Sequence, residues 1–160
     1  MKRRAGCEDE TRCSLSDSEL KAVLREVRRM TAQRNILRKS FNDMTVELMA
    51  ERKMTIQPLS DATGISRETI KYMRNDPTRV FGIREIVAVC IALHLDPSVS
   101  ELYLESSPAK LLDTEEDNCY RYALSHWYGE SVPEVNRRLK ALGVRPLTAQ
   151  MEDILIPGMK

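Results

Sequence analysis

TGISRETIKYMRND, residues 63–76, holds a glycine turn followed by a short amphipathic helix. Gly64 supplies the positive φ that a tight turn after a helix needs. Ser66 is the residue type that caps a helix start, so the spacing predicts a helix over Arg67–Arg74. At about 100° per residue, Thr69, Ile70 and Met73 fall on one side and face a core. Arg67, Glu68, Lys71 and Tyr72 fall opposite and face solvent. Those outward groups suit the edges of DNA bases, yet the segment around them carries more acid than base.

The stretch before it reads as another short helix, Thr55–Thr63, with Thr55 as N-cap and Leu59 as its apolar anchor. Pro58 lies in its first turn, where a missing N–H is tolerated. Two short helices joined at Gly64 make a helix-turn-helix whose second helix is sized to enter the major groove. Thr45–Met54 forms a helix ahead of the pair. After the loop marked by Asp76-Pro77, Ile83–Leu95 is a strongly apolar fourth helix. Asp96-Pro97 then restarts the chain, Asp96 as N-cap and Pro97 at the first helical position. Val99, Leu102 and Tyr103 give a short fifth helix its buried side.

Leu59-Ser60-Asp61-Ala62-Thr63-Gly64-Ile65-Ser66-Arg67-Glu68-Thr69-Ile70 resembles the core of the Cro/C1-type (XRE-like) helix-turn-helix domain. That family runs Leu-Ala, three residues, Gly, an aliphatic residue, Ser, two variable residues, Thr, Ile. The resemblance covers about residues 41–104 and implies an all-α, five-helix DNA-binding fold. It places Arg67, Glu68, Lys71 and Tyr72 at base edges, where Arg can fork onto guanine and Glu can accept from cytosine N4. It places Thr55, Ser66, Arg74, Asn75, Thr78 and Arg79 near phosphate. Three departures stand out. Ile56 occupies the place just after the cap where the family often has Gln. Ser60 replaces Ala at a tightly packed spot. Asp76 stands where Gly or a basic residue is common, and would repel phosphate.

Upstream, Ser16 and Glu19 form a capping box, so a helix should begin there. Leu20, Val23, Val27, Met30, Arg34, Leu37, Phe41, Met44 and Leu48 then alternate at spacings of three and four, a heptad seam interrupted by Arg34. Two readings stay open. A continuous seam would be a coiled coil and would make a dimer. A break at Ser40-Phe41-Asn42-Asp43 would divide the helix in two and fold its first half onto the body of the chain. Residues 1–15 read as a disordered tail, 16–40 as the amphipathic segment, 41–105 as the helix-turn-helix domain, and 106–160 as a separate helical extension. Ser106-Ser107-Pro108 is the expected hinge of that extension. Thr114–Tyr128 carries Tyr120, Ala123, Leu124, Trp127 and Tyr128 on one face. Ser131-Val132-Pro133-Glu134 caps a further helix that Gly143 closes. Met151, Ile154 and Leu155 form one expected turn against the body.

Apolar content of 42% allows a core, and aromatics at 5% make it aliphatic. No apolar run approaches the roughly 20 residues of a membrane helix, and the N-terminus lacks the apolar stretch of a signal peptide. The expected setting is cytoplasmic, without a membrane. Cys7, Cys13, Cys90 and Cys119 form no C-x-x-C pair, and His94 and His126 lack ligand-spaced partners, so no metal or cofactor is expected. A nucleophile elbow, a phosphate-cradling glycine loop and a legible His/carboxylate pair are all missing from the sequence, which argues against an enzyme.

Charge is unevenly placed. Residues 1–40 hold 11 Lys/Arg against 6 Asp/Glu, whereas residues 41–105 hold 7 against 10. Affinity for duplex DNA comes largely from neutralised phosphates, so an acidic domain needs its cations gathered on one face. Arg67, Lys71, Arg74 and Arg79 are the residues to gather. The expected function is a sequence-specific transcriptional regulator, a dimeric repressor of phage or mobile-element type, on double-stranded DNA as a homodimer. Arg67→Ala should then relax one base position, and Arg79→Ala should weaken all sequences alike. The competing class is a protein-interaction adaptor or antitoxin-like subunit, with the heptad seam and the Tyr120/Trp127/Tyr128 face as its surfaces for a protein partner.

Overall fold

The computed structural model describes residues 15–36 and 39–149. The chain divides into two units, Met1–Gln33 and Arg34–Lys160. Among the described residues there are eight helices and no strand.

The first unit holds most of α1 (Asp17–Ile36). Its capping box forms: Glu19 N–H donates to Ser16 Oγ (3.3 Å), and Ser16 N–H donates to Glu19 Oε2 (2.7 Å). Leu20, Val23, Leu24, Val27 and Met30 share an arc of this helix, and all are 38–49% exposed.

The second unit begins its helices anew at α2 (Phe41–Glu51). Ser40 Oγ accepts from Asp43 N–H (3.2 Å), and that cap makes a fresh helix start. The long heptad reading therefore fails as one helix. Phe41, Met44 and Leu48 carry its spacing, but they turn into the core together with Thr45 and Met49. The physical reason is that a 3–4 alternation describes any helix with one buried face, seam or not.

Four short helices follow: α3 (Ile56–Thr63), α4 (Arg67–Asn75), α5 (Ile83–Ala92) and α6 (Pro97–Ser106). α5 is the centre. Every side chain from Ile86 to Ala92 is buried, so the helix is apolar all round and must be covered on all sides. α6 covers one side and itself packs on α2, where Phe41 stacks on Tyr103 at 4.8 Å and Thr45 Oγ1 bonds the Tyr103 hydroxyl at 2.6 Å. α3 covers another with Leu59.

The remaining cover comes from α7 (Glu115–His126) and α8 (Val132–Ala141). Their Tyr120, Ala123, Leu124, Val135 and Leu139 belong to the same core cluster as α5. This corrects the division at residue 105. Ser106 ends α6, but Ser107 beyond it is buried, and residues 107–149 complete the core of the preceding helices. The expected turn at Met151, Ile154 and Leu155, the tail residues 1–14 with Cys7 and Cys13, and Leu37 of the seam lie outside the described residues.

Candidate nucleic-acid interface

The turn between α3 and α4 is fixed by local chemistry. Gly64 has φ 80, the left-handed region, and its N–H donates to Ser60 O (2.9 Å). The Thr63 hydroxyl donates to Leu59 O (2.7 Å) and accepts from Ile65 N–H (3.1 Å). Ser60 Oγ donates to Ile65 O (2.6 Å). The departure from Ala at position 60 thus adds a bond across the turn. A residue with a Cβ at 64 would meet the cost of a positive φ.

α4 starts at Ser66, whose Oγ accepts from Thr69 N–H (3.1 Å) and shares a bond with Thr69 Oγ1 (2.8 Å). Ile70 and Met73 are fully buried and seat the helix on the core. Arg67, Glu68, Lys71 and Asn75 are exposed, and Tyr72 and Arg74 are half-buried. The far end is gripped from α2. The Asn42 amide donates to Met73 O (2.9 Å) and Asp76 O (3.1 Å) at the helix C-terminus, and to Tyr72 O (3.4 Å), which also accepts from Asp76 N–H (2.9 Å).

One flank of α4 is cationic. Arg67, Lys71 and Arg74 line a groove of about 310 Å³ with Thr55, Ile56 and Gln57 of the α3 start. Thr55 makes no side-chain capping bond, and the first helical bond runs from Leu59 N–H to Thr55 O (3.2 Å). The Ile56 and Gln57 amides therefore precede the ladder at the positive end of α3, beside three cationic side chains. Such a corner favours an anion.

The other flank is a bonded cluster. The Tyr72 hydroxyl donates to Glu68 Oε1 (3.1 Å), and the Arg79 guanidinium carbon lies 3.8 Å from the Tyr72 ring centroid. Asp76 accepts from Thr78 Oγ1 (2.6 Å) and Thr78 N–H (2.9 Å). Those bonds, the hydroxyl first, hold its carboxyl below the ordinary carboxylate range. The Asp76 charge is thereby occupied by its own loop.

Of the four cations singled out in the sequence, three share a groove and the fourth, Arg79, stands apart over the Tyr72 ring. Thr55 lines the cationic groove, Ser66 heads α4, and Asn75 is exposed at its end. Thr78 donates its hydroxyl proton to Asp76. Two residues escaped the sequence reading. Gln57 sits in the groove one position later than the Gln sought at residue 56. Its signal was the cap itself, since counting from Thr55 puts Gln57 in the first turn. Asn42 had a weaker signal, a polar residue between the apolar Phe41 and Met44.

Residues 46–98 match the family model of the Cro/C1-type helix-turn-helix DNA-binding domain. The match begins inside α2, takes in α3, α4 and α5, and ends at the start of α6. No curated protein and no solved structure matches the chain. The family match implies DNA binding and transcriptional regulation.

Proposed function

We propose that the chain, with its Cro/C1-type helix-turn-helix domain, is a sequence-specific transcriptional regulator acting as a dimeric repressor of phage or mobile-element type. The observation that carries this reading is the cationic groove. Arg67, Lys71 and Arg74 gather beside the uncapped start of α3, within a segment whose total charge is acidic. Local placement outweighs total charge, because phosphate contacts act at short range in salt. Arg67 and Glu68, at the first turn of α4, read base edges, with Lys71 and Tyr72 one turn on. Thr55, the Gln57 amide, Ser66, Arg74, Asn75 and Thr78 hold the phosphates on either side.

The dimer is assigned to α1. A lone 20-residue helix is marginal in water unless its apolar face is covered. Leu20, Val23, Leu24, Val27 and Met30 line one arc in the open, and pairing with a second copy of that arc covers them. Two joined domains then read two half-sites, about one helical turn apart or a multiple of it. Selection of bound duplexes from a random pool by the full chain tests the reading. An enriched palindrome is expected, and a pool with no enriched sequence at low salt would sink it.

One observation favours the adaptor as a second reading. Tyr122, 50% exposed, stacks on His126 at 4.0 Å and meets Trp127 edge-on at 5.2 Å. Exposed aromatics of this kind anchor protein interfaces. Affinity capture separates the two readings: a stoichiometric protein partner without nucleic acid supports the adaptor.

A further inference from the structure

Glu68, Tyr72 and Arg79 come from two places, one face of α4 and the loop after it, yet they form a connected chain. Arg79 lies over the Tyr72 ring at 3.8 Å, and the Tyr72 hydroxyl donates to Glu68 Oε1 at 3.1 Å. A planar guanidinium over an aromatic face is held by both stacking and charge. The ring it holds then fixes where the hydroxyl points. Glu68 is otherwise an exposed, flexible side chain near the start of the helix. Its Oε2 takes no bond from the described residues.

We infer that Glu68, Tyr72 and Arg79 act as one reading unit, specific for a cytosine, with Arg79 as a positioning residue rather than a phosphate grip. The inference rests on the DNA-binding reading above. A carboxylate can only accept. Cytosine offers N4–H₂ in the major groove with no acceptor on the same base edge. Adenine offers N6–H₂ beside N7, whose lone pair faces an incoming carboxylate. With Oε1 occupied by Tyr72, Glu68 has one oxygen left for one donor, and cytosine is the base that matches. The arrangement also places the entropic cost of ordering Glu68 in the protein, before DNA arrives.

The test measures equilibrium binding of the full chain to four duplexes per variant. The duplexes differ only in the base facing Glu68, and an unrelated duplex serves as control. The wild-type chain should prefer cytosine by about tenfold, within the range one good base contact gives. Glu68→Gln should move the preference to adenine, because a carboxamide pairs with N6 and N7 together. Tyr72→Phe keeps the ring and its stack but frees Glu68. It should lower the cytosine preference several-fold while leaving the unrelated duplex unchanged. Arg79→Lys keeps the positive charge and loses the planar stack, so it should do the same.

Three results would overturn the inference while leaving DNA binding intact. They are an Arg79→Lys chain with wild-type preference, a Tyr72→Phe chain weakened equally on every duplex, and a Glu68→Gln chain with an unmoved base preference. A wild-type chain with no sequence preference at all would remove the DNA-binding reading and this unit with it.

Discussion

Asn42 shows how one side chain can set the aim of a helix. Its amide reaches the carbonyls of Tyr72, Met73 and Asp76 across some 30 residues of chain. Asn42→Ala removes the side-chain donor of Met73 O and Asp76 O at a half-buried site, while Tyr72 O keeps the Asp76 N–H (2.9 Å). Loss of about 1–3 kcal/mol of stability is expected, read as a lower thermal midpoint. The sequence could not reveal this bond, because nothing in the order of residues says which carbonyls an Asn of α2 will meet. Gly64, Ser66, Ile70 and Met73 were legible for the opposite reason. A positive φ, a cap and a buried arc are decided within one turn of chain, and each residue type has few other uses there. Arg79 was half legible. Its place after the reading helix suggested phosphate, but its stack on Tyr72 depends on the path of the loop.

At the scale of elements, α1 and α2 make contrasting cases. Leu20, Val23, Val27 and Met30 share the spacing of Phe41, Met44 and Leu48, yet the first set is exposed and the second is core. Spacing fixes which face is apolar, and only packing decides what covers it. Val27→Asp in the exposed arc of α1 therefore tests the dimer without touching the core. Sedimentation should show a shift to monomer, with affinity lost for a two-half-site duplex and kept for a single half-site. An unchanged mass would remove α1 from the dimer.

The end of α7–α8 carries a pH-sensitive clasp. Arg145 Nε donates to Glu116 Oε1 (2.8 Å), its Nη2 to Oε2 (3.1 Å), and the Tyr120 hydroxyl to Oε1 (3.1 Å). Arg145, ahead of Tyr120, holds the Glu116 carboxyl down to about 2. Because the folded value lies below the ordinary 4.5, the stabilisation is present above about pH 4.5 and fades as pH falls toward 2. Urea midpoints of the wild-type and Glu116→Gln chains should thus differ at pH 7 and converge near pH 2. A gap independent of pH would contradict this origin.

At the scale of the molecule, the second unit joins the helix-turn-helix to helices that finish its core. The family match stops at residue 98, but α7 and α8 bury Tyr120 and Leu139 against the helices it spans. The C-terminal segment returns to the turn itself: Thr148 Oγ1 donates to Thr63 O, and Asn136 binds Leu147 N–H (2.8 Å) and Thr148 O (3.1 Å). The division at residue 105 looked natural because Ser-Ser-Pro breaks a helix. Burial on both sides of such a break is a long-range outcome that local punctuation does not encode.

The central claim is that α4 reads DNA from the groove it shares with the start of α3. Arg67 and Arg74 line that groove together but should differ in role. The most direct measurement is the affinity of the wild-type, Arg67→Ala and Arg74→Ala chains for a selected duplex and a scrambled one, at fixed salt. Arg67→Ala should cost about 1–3 kcal/mol on the selected duplex, relax one base position, and spare the scrambled one. Arg74→Ala should weaken both alike. If Arg67→Ala leaves the selected duplex as tightly bound as before, or weakens both duplexes equally, the groove is not the reading site.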